Sequence, residues 1–261
     1  MRSLGIAATG MQSQQLNVDV ISNNIANLNS TAFKRQRAEF QDLIYQNLVR
    51  AGSTSSDTGT VVPTGVQLGL GVSAGGVYRI NEQGALRQTT NDFDVAIDGR
   101  GYFMITLPDG EQSYTRAGSF QVNQDGEIVT PEGYSVSPGI TVPTDAVDVT
   151  INANGEVLVK IDNQIQPQNV GQLDMVRFVN DAGLEAIGDN LFLESASSGD
   201  PIQGFAGDVG FGTIRQGFLE ISNVDAVTEI TSLITAQRSY ELNSNVLQTS
   251  DEMLQTISQV R

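Results

Sequence analysis

Apolar residues recur every seven positions at both ends of this chain. Near the start, Leu4, Met11, Val18 and Ile25 form one row, and Ala7, Ile21 and Leu28 follow three positions later, broken only at Gln14. This is the spacing of a helix that packs along one stripe. It predicts a helix from Leu4 to about Leu28, roughly 38 Å long at ~1.5 Å per residue. Toward the end, Ala226, Leu233, Tyr240, Leu247 and Leu254 repeat at the same interval, with Ile230, Ala236 and Ile257 alongside. A second helix is predicted there, with Ser222 and Asn223 as cap candidates and Asp225 and Glu229 suited to its positive N-terminal end. Gly5 and Gly10 each cost the first helix about 1 kcal/mol relative to alanine, so it needs a partner. Each helix carries an unpaired apolar stripe, and the simplest partner for one is the other.

The polar side of the first helix is unusual. Between Ser3 and Ser30 its one charged residue is Asp19; the rest is Gln12, Ser13, Gln15, Asn17, Ser22, Asn23, Asn24 and Asn27. Solvated helix faces are normally laced with lysine and glutamate. Amides and hydroxyls can be buried and hydrogen-bonded without desolvating an ion, so this helix is expected to be packed on several sides.

Between the helices the pattern shortens to strands. Runs at 102–105, 119–122, 128–129, 147–151 and 157–159 are divided by Asp98-Gly99, Asp109-Gly110, Asp125-Gly126 and Asn154-Gly155, dipeptides that favour tight hairpin turns. Pro108, Pro131, Pro138 and Pro143 fall where a missing donor is tolerated, and a sheet of sandwich or barrel type is predicted. The stretch Gln46–Gly76, rich in Gly, Ser and Thr, lacks helical period and is expected to form an extended arm that orders against neighbours. The predicted fold is therefore mixed α and β: paired, coiled-coil-like terminal helices bracket an inserted β-rich domain, with an extended arm after the first helix. By residue this gives a terminal helical domain (1–30 and 222–261), a connecting region (31–93 and 205–221, with the arm at 46–76) and a β-rich outer domain (94–204).

Composition narrows the chemistry. The 261 residues carry a formal charge of −16, with no cysteine and no histidine. So negative a surface disfavours nucleic acid and anionic lipid, and assembly of like-charged copies has to use surfaces without that charge. Disulfides and thiol nucleophiles are excluded, and the commonest general base and zinc ligand is missing. No cleavable secretory signal and no run of ~20 apolar residues is visible. Asn123-Gln124-Asp125-Gly126-Glu127 suggests a calcium loop, but the twelfth position, which needs a bidentate glutamate, is Tyr134. Gly69-Leu70-Gly71 lacks the lysine and following helix of a phosphate loop. Asp92 with Asp94, or Asp98 with Glu111, could pair as hydrolase carboxylates, but among 30 acidic residues such pairs arise by chance. No catalytic, metal or cofactor residue is assigned, and the chain reads as structural, not enzymatic. The basic cluster Phe33-Lys34-Arg35-Gln36-Arg37 is expected to meet an acidic surface of the same or a neighbouring chain.

Three segments add a resemblance. Asn23-Asn24-Ile25-Ala26-Asn27-Leu28-Asn29-Ser30-Thr31-Ala32-Phe33-Lys34-Arg35 resembles the N-terminal signature of the bacterial flagellar rod and hook family. Ala236-Gln237-Arg238-Ser239-Tyr240-Glu241-Leu242-Asn243, with Thr249, Asp251 and Met253-Leu254, is similar to its closing signature. Residues 94–103 and 114–120 are similar to its β-domain motifs. Ser239 stands where alanine is common. The match spans nearly the whole chain, and the length and the arm are most similar to distal-rod members.

The resemblance implies a helical homopolymer, an axial drive shaft in the periplasmic basal body. Its implied partners are neighbouring rod and hook subunits, the periplasmic and outer-membrane ring proteins and the flagellar type III export apparatus, with no nucleic acid and no direct membrane insertion. Export would need no cleaved signal. Assembly contacts are then expected along the two stripes, at Leu4, Met11, Val18, Ile21, Ile25, Leu28, Leu233, Tyr240, Leu247, Leu254 and Ile257. Within the signatures they are expected at Asn24, Asn27, Phe33, Lys34, Gln237, Arg238 and Asn243. A proximal rod subunit of the same family and an extracellular β-domain adhesin are the alternatives.

Overall fold

The computed structural model describes residues 2–50, 64–162 and 166–259. The chain forms two compact units: Met1–Ala26, Gln36–Tyr78 and Asp225–Arg261 make the first, and Asn27–Arg35 with Arg79–Val224 the second.

The first unit is built on α1 (Arg2–Ala26) and α2 (Ala226–Gln259). Asn24 meets Glu229, and Gly10 meets Asn243, so the pair is antiparallel. The line of closest approach differs from the apolar stripes that mark the helices in the sequence. On α2 the buried residues are Glu229, Ala236 and Ser250, spaced by heptads with half-buried Asn243 between them. On α1 they are Ala7, Ser13, Val20, Ile21 and Asn24. Small and amide side chains thus occupy the contact line, which lets the backbones draw close. A Cβ built on Gly10 would lie 2.9 Å from the Asn243 Nδ2, whereas one on Gly5 meets nothing within 4 Å. Gly5→Ala is therefore expected to stabilise the chain by about 1 kcal/mol through helix propensity. Gly10→Ala, which must displace Asn243, gives no such gain; thermal denaturation of the two variants checks the difference.

Asp225, and not Ser222 or Asn223, caps α2. Its Oδ1 accepts from the Val227 N–H at 3.3 Å and its other oxygen from the Thr228 hydroxyl. Those two bonds, Thr228 first, hold the Asp225 carboxyl below the usual range. Asn24 also ties α1 to the strand that follows: its Nδ2 donates to the Gln36 carbonyl and its Oδ1 accepts from the Gln36 N–H, both at 2.8 Å, so the side chain imitates a strand neighbour. That strand, Gln36–Asp42, pairs with Val72–Arg79, while Tyr45–Val49 pairs antiparallel with Val66–Gly69. Gly71, between Val66–Gly69 and Val72–Arg79, sits at φ 120°, where a side chain would collide with Thr9. The predicted irregular arm thus carries strands at both ends; its part at 51–63 lies outside the described residues.

The second unit centres on a nine-stranded sheet. The strand Tyr102–Thr106 lies inside it, flanked by Gln112–Thr115 on one side and by Ser135–Val136 and Met175–Arg177 on the other. Its continuous apolar run is explained by burial of both faces. Phe103 and Ile105 enter the main core with Val95, Ile97, Phe120, Val157, Val159 and Met175. Tyr102 and Met104 face a smaller cluster with Tyr114, Val176, Phe178 and Leu184. A three-stranded antiparallel sheet, Ala146–Ile151, Glu156–Ile161 and Gln168–Gln172, completes this core.

Candidate assembly surfaces and a buried ion network

Residues 27–35, which follow α1, and 220–223, which precede α2, are hydrogen-bonded to each other within the second unit. Ala32 N–H donates to the Glu220 carbonyl at 2.8 Å, and Asn223 N–H to the Phe33 carbonyl at 3.4 Å. The Asn223 side chain accepts from Arg35 N–H at 2.7 Å and donates to the carbonyls of Ile80 and Glu82.

Beneath these bonds lies Glu220, 1% exposed. One carboxylate oxygen accepts from Lys34 Nζ and from Gly84 N–H; the other accepts from Arg116 Nε at 2.6 Å. Lys34 also donates to the Glu82 carbonyl, and Arg116 to those of Gly99 and Gly101. Burying three charges is tolerable only because each is hydrogen-bonded on several sides. Burial lowers the Lys34 pKa, with the Glu220 charge pulling the other way. Of the two acidic surfaces expected for this basic cluster, that of the same chain or of a neighbour, Lys34 meets the one in its own chain, at Glu220.

A polar cavity of about 400 Å³ opens over this network, lined among others by Lys34, Arg100, Tyr102, Arg116 and Asp181. Burial raises the Asp181 pKa, outweighing the attraction of Arg100 and Arg116. A carboxyl whose pKa is raised on folding loses stability as pH climbs through the window above its unfolded value of 3.8. Asp181→Asn should therefore stabilise the chain at neutral pH, and the gain should vanish below that window; denaturant midpoints at two pH values check this.

The other expected contact residues divide by exposure. Ile21 and Asn24 are buried; Leu4, Met11, Val18, Ile25, Asn27, Leu28, Phe33, Leu233, Asn243, Leu247 and Leu254 are half-buried. Gln237, Arg238 and Tyr240 are exposed, and the side chain of Ile257 lies outside the described residues. Asn27 accepts from the Ser30 hydroxyl at 2.9 Å, in the turn that ends α1 two residues before Leu28.

Open apolar surface extends well beyond the residues at heptad spacing. On α2, Val227, Ile230, Ile234, Leu242, Val246 and Met253 are exposed, Leu242 to 66%. Between them Thr231, Thr235 and Thr249 donate to carbonyls one turn back, so these hydroxyls need no water. The hairpin of the first unit is open as well: Ile44, Tyr45, Leu48, Val66 and Leu68 are all exposed. Exposed apolar patches of this kind mark interaction surfaces.

Family comparisons bear on what covers them. Residues 4–34 match the model described as flagella basal body rod protein, 96–159 the flagellar hook protein FlgE/F/G D1 domain, and 215–260 the flagellar basal body rod FlgEFG protein C-terminal region. The flagellar basal-body rod protein FlgG of Caulobacter vibrioides is 60% identical over 261 residues, covering 100% of both chains. The FlgG of Agrobacterium fabrum is 50% identical over 99% of this chain and 98% of its own length. That of Borreliella burgdorferi is 49% identical over 97% of this chain and 96% of its own. With family models matching both helical ends and the β-rich middle, and relatives 49% to 60% identical over 97% or more of its length, the chain belongs to the FlgG family of flagellar basal-body rod proteins, structural subunits of the distal rod.

Proposed function

We propose that this rod subunit enters a helical homopolymer through the outward faces of α2 and the hairpin, and that the polymer is the axial shaft carrying torque across the periplasm to the hook. The role is structural, not catalytic. The observation that carries the reading is the row of apolar side chains on α2 from Val227 to Met253, left open in the isolated chain on the side away from Glu229, Ala236 and Ser250. Burying such side chains is worth about 1.5–3 kcal/mol each, enough to overcome repulsion between chains of charge −16 only where that charge is absent. Leu4, Met11, Val18, Ile25, Leu28, Leu233, Tyr240, Leu247 and Leu254, on the flanks of the helix pair or next to it, would complete the contact in neighbouring copies. Other rod and hook subunits would meet the ends of the shaft, ring proteins its outer surface, and the type III apparatus would export the chain.

Electron microscopy of concentrated purified protein tests this. The full chain is expected to form tubes, and a chain lacking residues 1–30 is expected to form none. Equivalent tubes from the shortened chain would overturn the reading.

A further inference from the structure

The second unit presents a protrusion and a recess at opposite ends of one strand. Val209 is 98% exposed at a tight turn. The turn is braced: Phe205 N–H donates to Asp208 Oδ2 at 2.9 Å and Phe211 N–H to the Asp208 carbonyl at 3.0 Å. Beside it, the Arg177 guanidinium lies 5.7 Å from the centre of the Phe211 ring, and its Nη1 is 3.2 Å from where a Gly210 side chain would begin. The Arg177 Nε is buried without a hydrogen-bond partner, and no carboxylate pairs with Arg177 among the described residues. The unsatisfied Arg177 donor is what calls for a partner, and the Val209 tip beside it stands far enough into solvent to enter one.

This loop abuts one end of the strand Ala146–Ile151. Ile214 N–H donates to the Ala153 carbonyl at 3.0 Å, and a Gly207 side chain would begin 3.2 Å from Asn154 Oδ1. At the other end of the same strand lies an open groove of about 360 Å³, with Phe93, Val122 and Val149 in its lining and Asp92 and Asp148 among its acidic groups. The groove offers what the loop lacks, an apolar seat with carboxylates nearby.

We propose that Val209 of one copy seats in this groove on the next copy, with Arg177 facing Asp92 and Asp148. The inference rests on self-assembly as read above and names a contact within it. Because protrusion and recess lie at opposite ends of the strand, the contact is heterologous: each copy leaves one of each unused, and growth continues instead of closing into a pair. The charge pairing also explains how so acidic a chain can approach itself here.

The native chain has no cysteine, so introduced thiols report the contact alone. Rods assembled from full-length protein carrying Val209→Cys and Thr144→Cys together are expected, on oxidation, to give a ladder of covalent multimers extending beyond dimers; either single variant should not. Intact rods from the double variant that dissolve into uncross-linked monomers would overturn the contact while leaving self-assembly standing. If the native chain forms no rods at all, self-assembly itself fails, and this contact with it. Arg177→Glu should weaken assembly and added Asp148→Arg should restore it; no restoration counts against the charge pairing.

Discussion

Replacing Ile234 with aspartate is expected to abolish rod assembly while leaving the isolated chain folded. Ile234 is 45% exposed on α2, away from the buried line through Glu229, Ala236 and Ser250, so the monomer loses only the burial it already has there, about 1–1.5 kcal/mol. In the polymer the change removes a further ~1 kcal/mol of burial and adds an unpaired carboxylate, at a further cost of roughly 2 kcal/mol or more. About 3 kcal/mol per contact is more than a hundredfold in association, and each copy makes that contact again along the shaft. Sedimentation of the variant against the native chain, with circular dichroism to establish that the fold is intact, measures both halves of the expectation. Assembly at native concentrations would show that this face is not buried.

Glu220→Gln carries the second large effect, on stability and not on assembly. Removing one partner of a buried ion pair costs about 3–5 kcal/mol, because the remaining charges stay buried; here two cations, Lys34 and Arg116, share the one carboxylate. The denaturant midpoint should fall accordingly. Its pH dependence separates this cause from lost packing. Burial already places the Lys34 pKa below 10.5, and without Glu220 it drops further. Between that lowered value and 10.5 the unfolded chain binds more protons than the folded one, so stability rises with pH across the window. The deficit of Glu220→Gln should therefore shrink as pH approaches 10.5, whereas a packing defect would be indifferent to pH.

Both predictions concern residues that hydrophobic spacing did not mark, for identifiable reasons. Heptads of Leu, Met, Val and Tyr located the two helices and their pairing with each other. Counting apolar residues assumes, however, that the largest side chains face the partner. Here Gly10, Asn24, Ala236, Asn243 and Ser250 lie along the contact, and small residues at heptad spacing leave no signal in a hydrophobicity pattern. The runs at 102–105, 128–129 and 157–159 were legible as strands because both their composition and the flanking turns agree. Tyr45–Val49 and Val66–Gly69 were not, since the intervening Ser, Thr and Gly outweigh two short strands. Lys34 stood out in its basic cluster, but nothing in the chain distinguishes Glu220, 186 residues away, from the 29 other acidic residues. Its role appears only when the fold brings residues 34, 116 and 220 together.

Amide hydrogen exchange along α2, compared between dilute chain and isolated rods, tests the central claim most directly. Exchange at residues 227–246 is predicted to be far slower in the rod than in the dilute chain, while the core strand Tyr102–Thr106 is equally protected in both. Equal protection of α2 in the two states would mean that this helix is not what joins one copy to the next.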